Sequence, residues 1–193
     1  MYIFTLEKTR PTRDIDFLGS DIPYDKSFVE TVFRMICSIS YPPDAVFFDS
    51  GSIVSEEITG QDKYPGIRLF ITSTIDTIIQ RIQVDVGFGD IVIPKPVKIS
   101  YPVFFPESDA PVILAYSLET VLAEKFEAMI DLSTINSRMK DFYDVYQILV
   151  SHQLDFHQLS ESVKATFANR KTGYAPGHAL FSPSFATDTG SVR

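Results

Sequence analysis

The hydrophobic pattern of the chain changes its period once, near residue 117, and this change limits the possible folds more than any other feature. Before residue 117, segments rich in Val, Ile, Phe and Thr follow one another between Gly, Pro and Asp, as in antiparallel or mixed sheets. After it, apolar residues recur every three or four positions, which is typical of amphipathic helices. The sequence therefore predicts an α+β fold with a helical C-terminal part.

The predicted elements begin with the end of a helix over 1–8, followed by a strand from Arg13 to Leu18 and a helix over 25–40. Further strands are predicted over 45–48, 52–58, 66–72, 78–88, 97–104 and 112–116. Ser117 is the expected N-cap of the first C-terminal helix, and two more helices follow over about 137–151 and 157–169. In the helix over 137–151 the expected apolar face consists of Met139, Phe142, Tyr143, Tyr146, Leu149 and Val150. We predict a sheet domain over 1–116, a helical part over 117–170 and an irregular tail over 171–193.

The overall charge is acidic, with 25 acidic and 17 basic residues and a formal net charge of −8. Such a surface disfavours broad, nonspecific binding of nucleic acid. A local basic groove could still form from the arginines at 10, 13, 34, 68 and 81, which are otherwise ordinary surface residues. The single cysteine, Cys37, fits a reducing compartment, and no apolar run of about 18 residues is present. We expect a cytoplasmic protein without a membrane segment.

The first candidate for chemistry is the tripeptide Asp14–Ile15–Asp16. Residues two apart in a strand face the same side, about 6–7 Å apart, so both carboxylates are expected to point one way while Ile15 and Phe17 point into a core. Parallel carboxylates repel each other unless a positive charge lies between them, and Mg²⁺ and Mn²⁺ prefer oxygen ligands. The tripeptide is common, and a solvated strand face is the alternative interpretation.

The second candidate is Asp85, which alternates with the apolar residues Val84 and Val86 and so faces the same side as Arg81. Gly87 beside it leaves room for a ligand or a close backbone. If this strand neighbours the first one, Asp85 completes a three-carboxylate cluster, and such clusters hold two metals in nucleotidyl transfer. The alternative is a half-exposed strand residue.

The third candidate is Lys125, which lies on the apolar stripe of its helix and needs a partner there. It could reach a nucleotide phosphate or a catalytic carboxylate, or extend along the helix surface to solvent. Glu124 and Glu127 are expected to be solvated.

In the next helix, Asp141 and Asp144 share one side. They could form surface ion pairs with Arg138 and Lys140, or Lys140 or Asp141 could belong to the wall of an active site. Other chemistries find little support, because the three histidines lack metal-ligand spacing and no G-x-x-x-x-G-K-[ST], G-x-G-x-x-G or G-x-S-x-G motif is present.

These segments together resemble the AbiEii nucleotidyltransferase toxin family, within the DNA polymerase β-like superfamily. The matching stretches are RPTRDIDFLG (10–19), IQVDVGFGDIVIPKP (82–96), LAYSLETVLAEKFEAMIDL (114–132) and NSRMKDFYDVYQIL (136–149). The resemblance implies a nucleotidyltransferase-like sheet and makes Asp14 and Asp16 similar to the family's metal-binding pair, with Asp85 as the third carboxylate. It places Lys125 and Asp141 near the nucleotide, and Arg13 and Lys125 are the candidate nucleotide contacts.

The resemblance also implies a type IV toxin–antitoxin system, Mg²⁺ or Mn²⁺, an NTP substrate, tRNA as acceptor and a cognate antitoxin. One departure concerns the superfamily's Gly-Gly or Gly-Ser pair, whose backbone N–H groups hold the triphosphate. No glycine precedes Asp14, so we expect this chain to lack the phosphate-binding segment. Two alternatives therefore stay open, namely a non-catalytic remnant that binds a partner and a transferase that acts on a small molecule or a protein.

Overall fold

The structure is a computed structural model that describes residues 14–41, 44–58, 65–103, 109–132, 139–183 and 185, so the helix end predicted over 1–8 lies outside the described residues. Its strands are β1 (Asp14–Gly19), β2 (Val46–Ile58), β3 (Gly66–Ile75), β4 (Ile78–Phe88), β5 (Val97–Ser100) and β6 (Val112–Ala115). Its helices are α1 (Lys26–Cys37), α2 (Leu118–Leu132), α3 (Met139–Ser151) and α4 (Phe156–Arg170). The predicted α+β class is confirmed, with a mixed sheet and a helical C-terminal part. No helix in the described ranges is long and apolar enough to cross a membrane.

These elements belong to two compact units. The sheet unit contains β1–β4 and α1, within residues 14–90. The helical unit contains β5, β6 and α2–α4, from residue 91 onward. The division follows Asp90, so the antiparallel pair of β5 and β6 accompanies the helices. The domain limits 1–116, 117–170 and 171–193 stay a prediction.

The sheet of the first unit has the strand order β1-β4-β3-β2. The edge strand β1 runs parallel to β4, and the other two pairings are antiparallel. Helix α1 begins at the N-cap Asp25, whose carboxylate accepts a hydrogen bond from the Phe28 backbone N–H at 2.6 Å. The apolar core of the unit consists of Val29 and Cys37 from α1 and Ile53, Ile67, Leu69, Ile71, Val84, Val86 and Phe88 from the strands. Cys37 is buried, and burial raises the pKa of its thiol.

A two-residue turn at Asp76 and Thr77 fixes how β3 pairs with β4. Asp76 adopts a positive φ of 51°, a conformation that Asp tolerates better than most residues. Ile75 and Ile78 face each other across the turn, and every later pair follows from this start. Because side chains alternate between the faces of a strand, the turn decides which residues of β3 lie beside Asp85.

Some sequence predictions for the sheet unit are wrong. The segments 45–48 and 52–58 form one strand, β2, with an irregularity between Asp49 and Val54. Ile15 and Phe17 are 42% and 48% exposed instead of buried. The physical reason is that α1 packs mainly across β2, at the far edge of the sheet from β1. Phe17 still contacts Phe33 of α1 edge-on, with 6.1 Å between the ring centroids.

In the helical unit, α2 packs against both α3 and α4. The predicted N-cap of α2 is confirmed, since the Ser117 hydroxyl accepts a hydrogen bond from the Thr120 backbone N–H at 3.2 Å. The apolar core consists of Val121, Leu122 and Ile148, with partly buried Tyr116, Leu118, Val145, Leu154 and Leu159 around it. Within the predicted irregular tail, Tyr174 and Phe181 pack on Phe126 of α2.

The predicted inward face of α3 is wrong. The buried residues of this helix are Asp141, Asp144 and Ile148, whereas most of the expected apolar face is exposed. Met139, Tyr143, Tyr146, Leu149 and Val150 are 38%, 39%, 61%, 49% and 60% exposed. The side of α3 that faces α2 is therefore largely polar, because a lysine of α2 attracts two of its aspartates.

Candidate active site

Three of the predicted carboxylates lie on one face of β1 and β4. In the parallel pairing Asp16 is the register partner of Asp85, and Asp14 is the partner of Gln83. Register partners share a face of the sheet, as do residues two apart in one strand. The flanking residues Val84 and Val86 are each 3% exposed in the core, so the carboxylates lie on the face opposite the core.

A row of charged residues crosses the whole sheet on this face. The register pairs Glu56 of β2 with Arg68 of β3, Arg68 with Asp85 of β4, and Asp85 with Asp16 of β1. Neighbouring strands lie about 4.8 Å apart, so each charge is close to the next. The single positive charge in the row lies between two of the three negative ones.

Arg68 binds Asp85 through two parallel hydrogen bonds. Its Nε donates to Oδ1 at 2.8 Å and its Nη2 donates to Oδ2 at 2.7 Å, and the side chains are 32% and 16% exposed. The hydrogen bond to Asp85 raises the pKa of Arg68, and the charges of Asp85, Glu56 and Asp14 raise it further against the opposing effect of burial. The Gln83 amide also lies 3.3 Å from both Asp85 oxygens. Both oxygens of Asp85 are thus engaged within the sheet.

The residues on this face fit a divalent cation only in part. Asp14 and Asp16 supply the hard oxygen donors that Mg²⁺ and Mn²⁺ prefer, and Asp85 supplies a third carboxylate beside them. Within the described ranges, however, no group of three His, Cys, Asp or Glu residues is arranged to hold a metal ion. The guanidinium of Arg68 already lies against both oxygens of Asp85.

The surface next to Asp85 differs on its two sides. Toward the end of β4, Gly87 presents no side chain, and a Cβ there would meet only the Phe17 carbonyl at 3.9 Å. Toward the start of β4, the guanidinium of Arg81 lies 3.9 Å from the centroid of the Phe70 ring, in a cation–π contact. Arg81 shares the face of Asp85, as its spacing indicates.

A second group of predicted residues lies in the helical unit. The Lys125 Nζ is 2.8 Å from Asp141 Oδ1 and 2.9 Å from Asp144 Oδ2. The side chains of Lys125, Asp141 and Asp144 are 15%, 1% and 3% exposed, so the interpretation of Lys125 as a surface lysine is wrong. The alternative that Asp141 and Asp144 lie on the surface is also wrong, since both are buried and bind Lys125. Arg138 lies outside the described residues.

Glu127 of α2 is buried as well, against the prediction that it is solvated. It is 3% exposed, and it accepts hydrogen bonds from Arg170 Nη1 at 2.9 Å and from the Thr172 hydroxyl. Glu124 is half-buried. The reason is that α2 lies between two helices, so its face toward α4 is buried in addition to the face that carries the apolar stripe.

The predicted site residues therefore form two groups, Asp14, Asp16 and Asp85 in the sheet unit and Lys125 and Asp141 in the helical unit. Arg13 lies outside the described residues. Sequence reasoning missed the roles of Arg68 and Asp144. A usable signal existed for Arg68, because counting back from a two-residue turn at Asp76 and Thr77 pairs residue 68 with residue 85.

A mixed sheet with a helix on one face, carboxylates on the other and a helical part after it is consistent with a nucleotidyltransferase-like fold. The family model described as "Nucleotidyl transferase AbiEii toxin, Type IV TA system" matches residues 1–190. The chain belongs to this family of nucleotidyltransferase toxins of type IV toxin–antitoxin systems. The family implies an NTP substrate and an antitoxin. No curated protein and no solved structure matches the chain.

Proposed function

We propose that the protein transfers a nucleotide from an NTP to a hydroxyl of tRNA, with Mg²⁺ or Mn²⁺ as cofactor, in the cytoplasm. The observation that supports this proposal most directly is the register of β1 and β4, which pairs Asp16 with Asp85 and leaves Asp14 on the same face. Three carboxylates that come from two strands form a usual setting for divalent ions in nucleotidyl transfer.

In this proposal Asp14 and Asp16 hold the divalent cation, and Asp85 acts as a further ligand or as a base for the acceptor hydroxyl. When bound, the cation neutralises charge on the triphosphate and lowers the pKa of the attacking hydroxyl. The protein contributes by fixing the donor oxygens on a rigid sheet, so that little reorganisation is needed at the moment of reaction.

Lys125 is proposed to contact the nucleotide, together with Arg13, and Asp141 to hold Lys125 in place. The support is the geometry of the lysine, which two carboxylates grip at 2.8 and 2.9 Å. The two carboxylates balance the charge of this lysine, whose side chain is only 15% exposed. Positioned positive charge is a main component of catalysis in phosphoryl transfer.

The direct test incubates the protein with labelled NTPs, Mg²⁺ and bulk tRNA and measures label on the RNA. Asp14→Asn and Asp16→Asn keep the shape of the side chain but remove the charge that binds the cation. Because a catalytic metal contributes several kcal/mol, we expect label transfer to fall by about 100-fold or more.

Glu57→Gln is the matched control, since Glu57 is an exposed acid on β2 whose register partner Ile67 belongs to the core face. It should transfer label as the wild type does. Equal transfer by the wild type and Asp14→Asn would contradict the proposed mechanism. If the label appears on a protein or a small molecule while tRNA stays unlabelled, the proposed metal-dependent transfer is supported and tRNA is the wrong acceptor.

A further inference from the structure

The side chain of Arg68 lies between two carboxylates on neighbouring strands. On one side it makes the two short hydrogen bonds to Asp85. On the other side its Nη1 is 3.9 Å from the Glu56 Oε1. The register places Glu56, Arg68 and Asp85 in one row across the sheet, so rotation of the arginine side chain exchanges one carboxylate for the other without any change in the backbone.

We propose that Arg68 competes with the divalent cation for Asp85 and moves to Glu56 when the cation binds. This inference rests on the proposed function, because it assumes that Asp85 takes part in binding the cation. Arg68 is then a positioning residue that decides when Asp85 becomes available.

The competition follows from the atoms that each partner needs. A guanidinium in a bidentate pair uses both oxygens of its carboxylate, and a cation that binds Asp85 needs at least one of them. The two positive groups also repel each other at this short range. Arg68 uses one lone pair on each Asp85 oxygen, and the Gln83 amide lies 3.3 Å from both oxygens. A cation that binds Asp85 therefore competes with groups that already surround its lone pairs.

Arg68 also explains how the carboxylates tolerate each other before a cation binds. Asp16 and Asp85 are register partners, and neighbouring like charges repel each other. The guanidinium supplies a positive charge beside these carboxylates, and the charges of Asp85, Glu56 and Asp14 all raise its pKa. The same positive charge raises the barrier to metal binding.

Glu56 is suited to receive the arginine after exchange. Its side chain is 59% exposed, so solvent allows it to adjust, and it already lies within ion-pair distance of Arg68. Glu56 is the register partner of Arg68 on β2, the edge strand on the side of the sheet opposite β1. Moving toward Glu56 takes the guanidinium away from β4 and β1.

The test measures Mn²⁺ binding to the full-length protein without nucleotide, from the electron paramagnetic resonance signal of free Mn²⁺. Arg68→Gln removes the competing charge, and we expect its Kd for Mn²⁺ to be about 10-fold lower than that of the wild type. Arg68→Lys keeps the charge but loses the bidentate pair, so its Kd should lie between the two. Glu57→Gln should bind as the wild type does.

A double-mutant cycle tests the exchange itself. Glu56→Gln removes the acceptor for the displaced arginine and should raise the Kd in the wild-type background. It should have no effect in the Arg68→Gln background, where no arginine needs an acceptor. An equal effect in both backgrounds would mean that Glu56 acts only through its own charge and would overturn the exchange.

The outcomes separate this inference from the proposed function. If Arg68→Gln is folded by circular dichroism and binds Mn²⁺ no more tightly than the wild type, the competition is wrong even where label transfer occurs. If Arg68→Gln misfolds, an Arg68→Lys variant that binds no more tightly than the wild type leads to the same conclusion. If Arg68→Gln binds Mn²⁺ more tightly than the wild type and the additional substitution Asp85→Asn removes this gain, the competition is supported even without label transfer. If no variant binds Mn²⁺, both proposals fail.

Discussion

At the scale of single residues, the Lys125 cluster shows how one side chain can have a structural and a proposed chemical role together. Lys125 is held by Asp141 and Asp144 with distances below 3 Å, and both aspartates are almost completely buried. Two buried carboxylates beside each other are tolerated only while a positive charge lies between them. A loss of activity in a Lys125 variant therefore indicates a catalytic role only if the variant remains folded.

We predict that Lys125→Met lowers the free energy of unfolding by about 3–5 kcal/mol, because it leaves the two aspartates buried without their cation. Urea denaturation followed by circular dichroism measures the change. Asp144→Asn should cost less, about 1–3 kcal/mol, since Lys125 keeps Asp141 and the amide oxygen can still accept a hydrogen bond. A loss below about 1 kcal/mol for Lys125→Met would show that the cluster is not important for stability.

At the scale of elements, α4 is defined at both ends by local signals. Its N-cap Asp155 accepts hydrogen bonds from the backbone N–H groups of His157 and Gln158 at 2.9 and 3.1 Å. Its C-cap Lys171 adopts a left-handed conformation with φ of 56°. The N-cap satisfies backbone N–H groups of the first turn, whereas the Lys171 backbone N–H donates to the carbonyls of Phe167 and Ala168 in the last turn.

The cap of α4 gives a prediction about pH. Hydrogen bonds from the Gln158 backbone and side chain, and then from the His157 backbone, lower the pKa of Asp155 from its ordinary value of 3.8. A lowered pKa in the folded state means that the cap stabilises the protein above about pH 4 and loses this effect as pH falls through the folded-state pKa.

The measurement compares thermal melts of the wild type and Asp155→Ala between about pH 6 and pH 2.5. The wild type should melt at a higher temperature at pH 6, and the difference should shrink at the acidic end. A difference that stays constant over this range would show that ionisation of Asp155 does not contribute.

The elements were largely predictable from sequence, because each depends on signals close to it in the chain. The limits predicted for β4 are those of the structure, and α2 and α4 begin at or next to the predicted positions. The irregularity in β2 was not visible, since Asp49 and the following residues form local hydrogen bonds that only the completed strand reveals. The sequence predicts a break over 49–51, between the strands 45–48 and 52–58.

The orientation of elements was less predictable, because it depends on partners far away in sequence. In α3 the most apolar side was expected to be buried, yet the attraction of Lys125 turns Asp141 and Asp144 inward. In α2 the burial of Glu127 depends on Arg170, which belongs to another helix. Periodicity reports which residues share a side of a helix, and it does not report which charged residue finds a buried partner.

The candidate carboxylates were predictable as a set, since Asp14, Asp16 and Asp85 could be placed on strand faces by alternation alone. Their proximity depended on β1 lying next to β4, which alternation does not determine. The bidentate pair of Arg68 and Asp85 required the correct turn between β3 and β4 in addition. Their proposed roles in binding a metal stay predictions.

At the scale of the whole molecule, the formal net charge of −8 weakens nonspecific binding of the protein to RNA. Nonspecific binding to nucleic acid depends mainly on neutralising phosphates with lysine and arginine. On the face with the carboxylates, Arg68 is engaged by Asp85 and Arg81 lies over Phe70. If the acceptor is tRNA, as proposed, these two arginines of the described residues offer it few free charges on this face.

We predict that the protein binds a generic single-stranded RNA with a Kd weaker than about 10 µM at about 150 mM salt. Each phosphate contact contributes about −0.7 to the slope of log affinity against log salt for single strands, so a shallow slope is expected. Filter binding over a range of salt concentrations measures both quantities. Submicromolar affinity with a steep slope would indicate an extended basic groove.

The parallel pairing of β1 with β4 also determines the stage of synthesis at which the proposed metal-binding carboxylates can come together. Strand β4 comes last among the four strands of the sheet, and Asp16 gains its neighbour Asp85 only when β4 has paired beside β1. A nascent chain that has emerged only as far as β3 carries two of the three carboxylates and lacks the third. A ribosome that synthesises this toxin is therefore not exposed to the assembled carboxylate cluster until most of the sheet unit has left the exit tunnel.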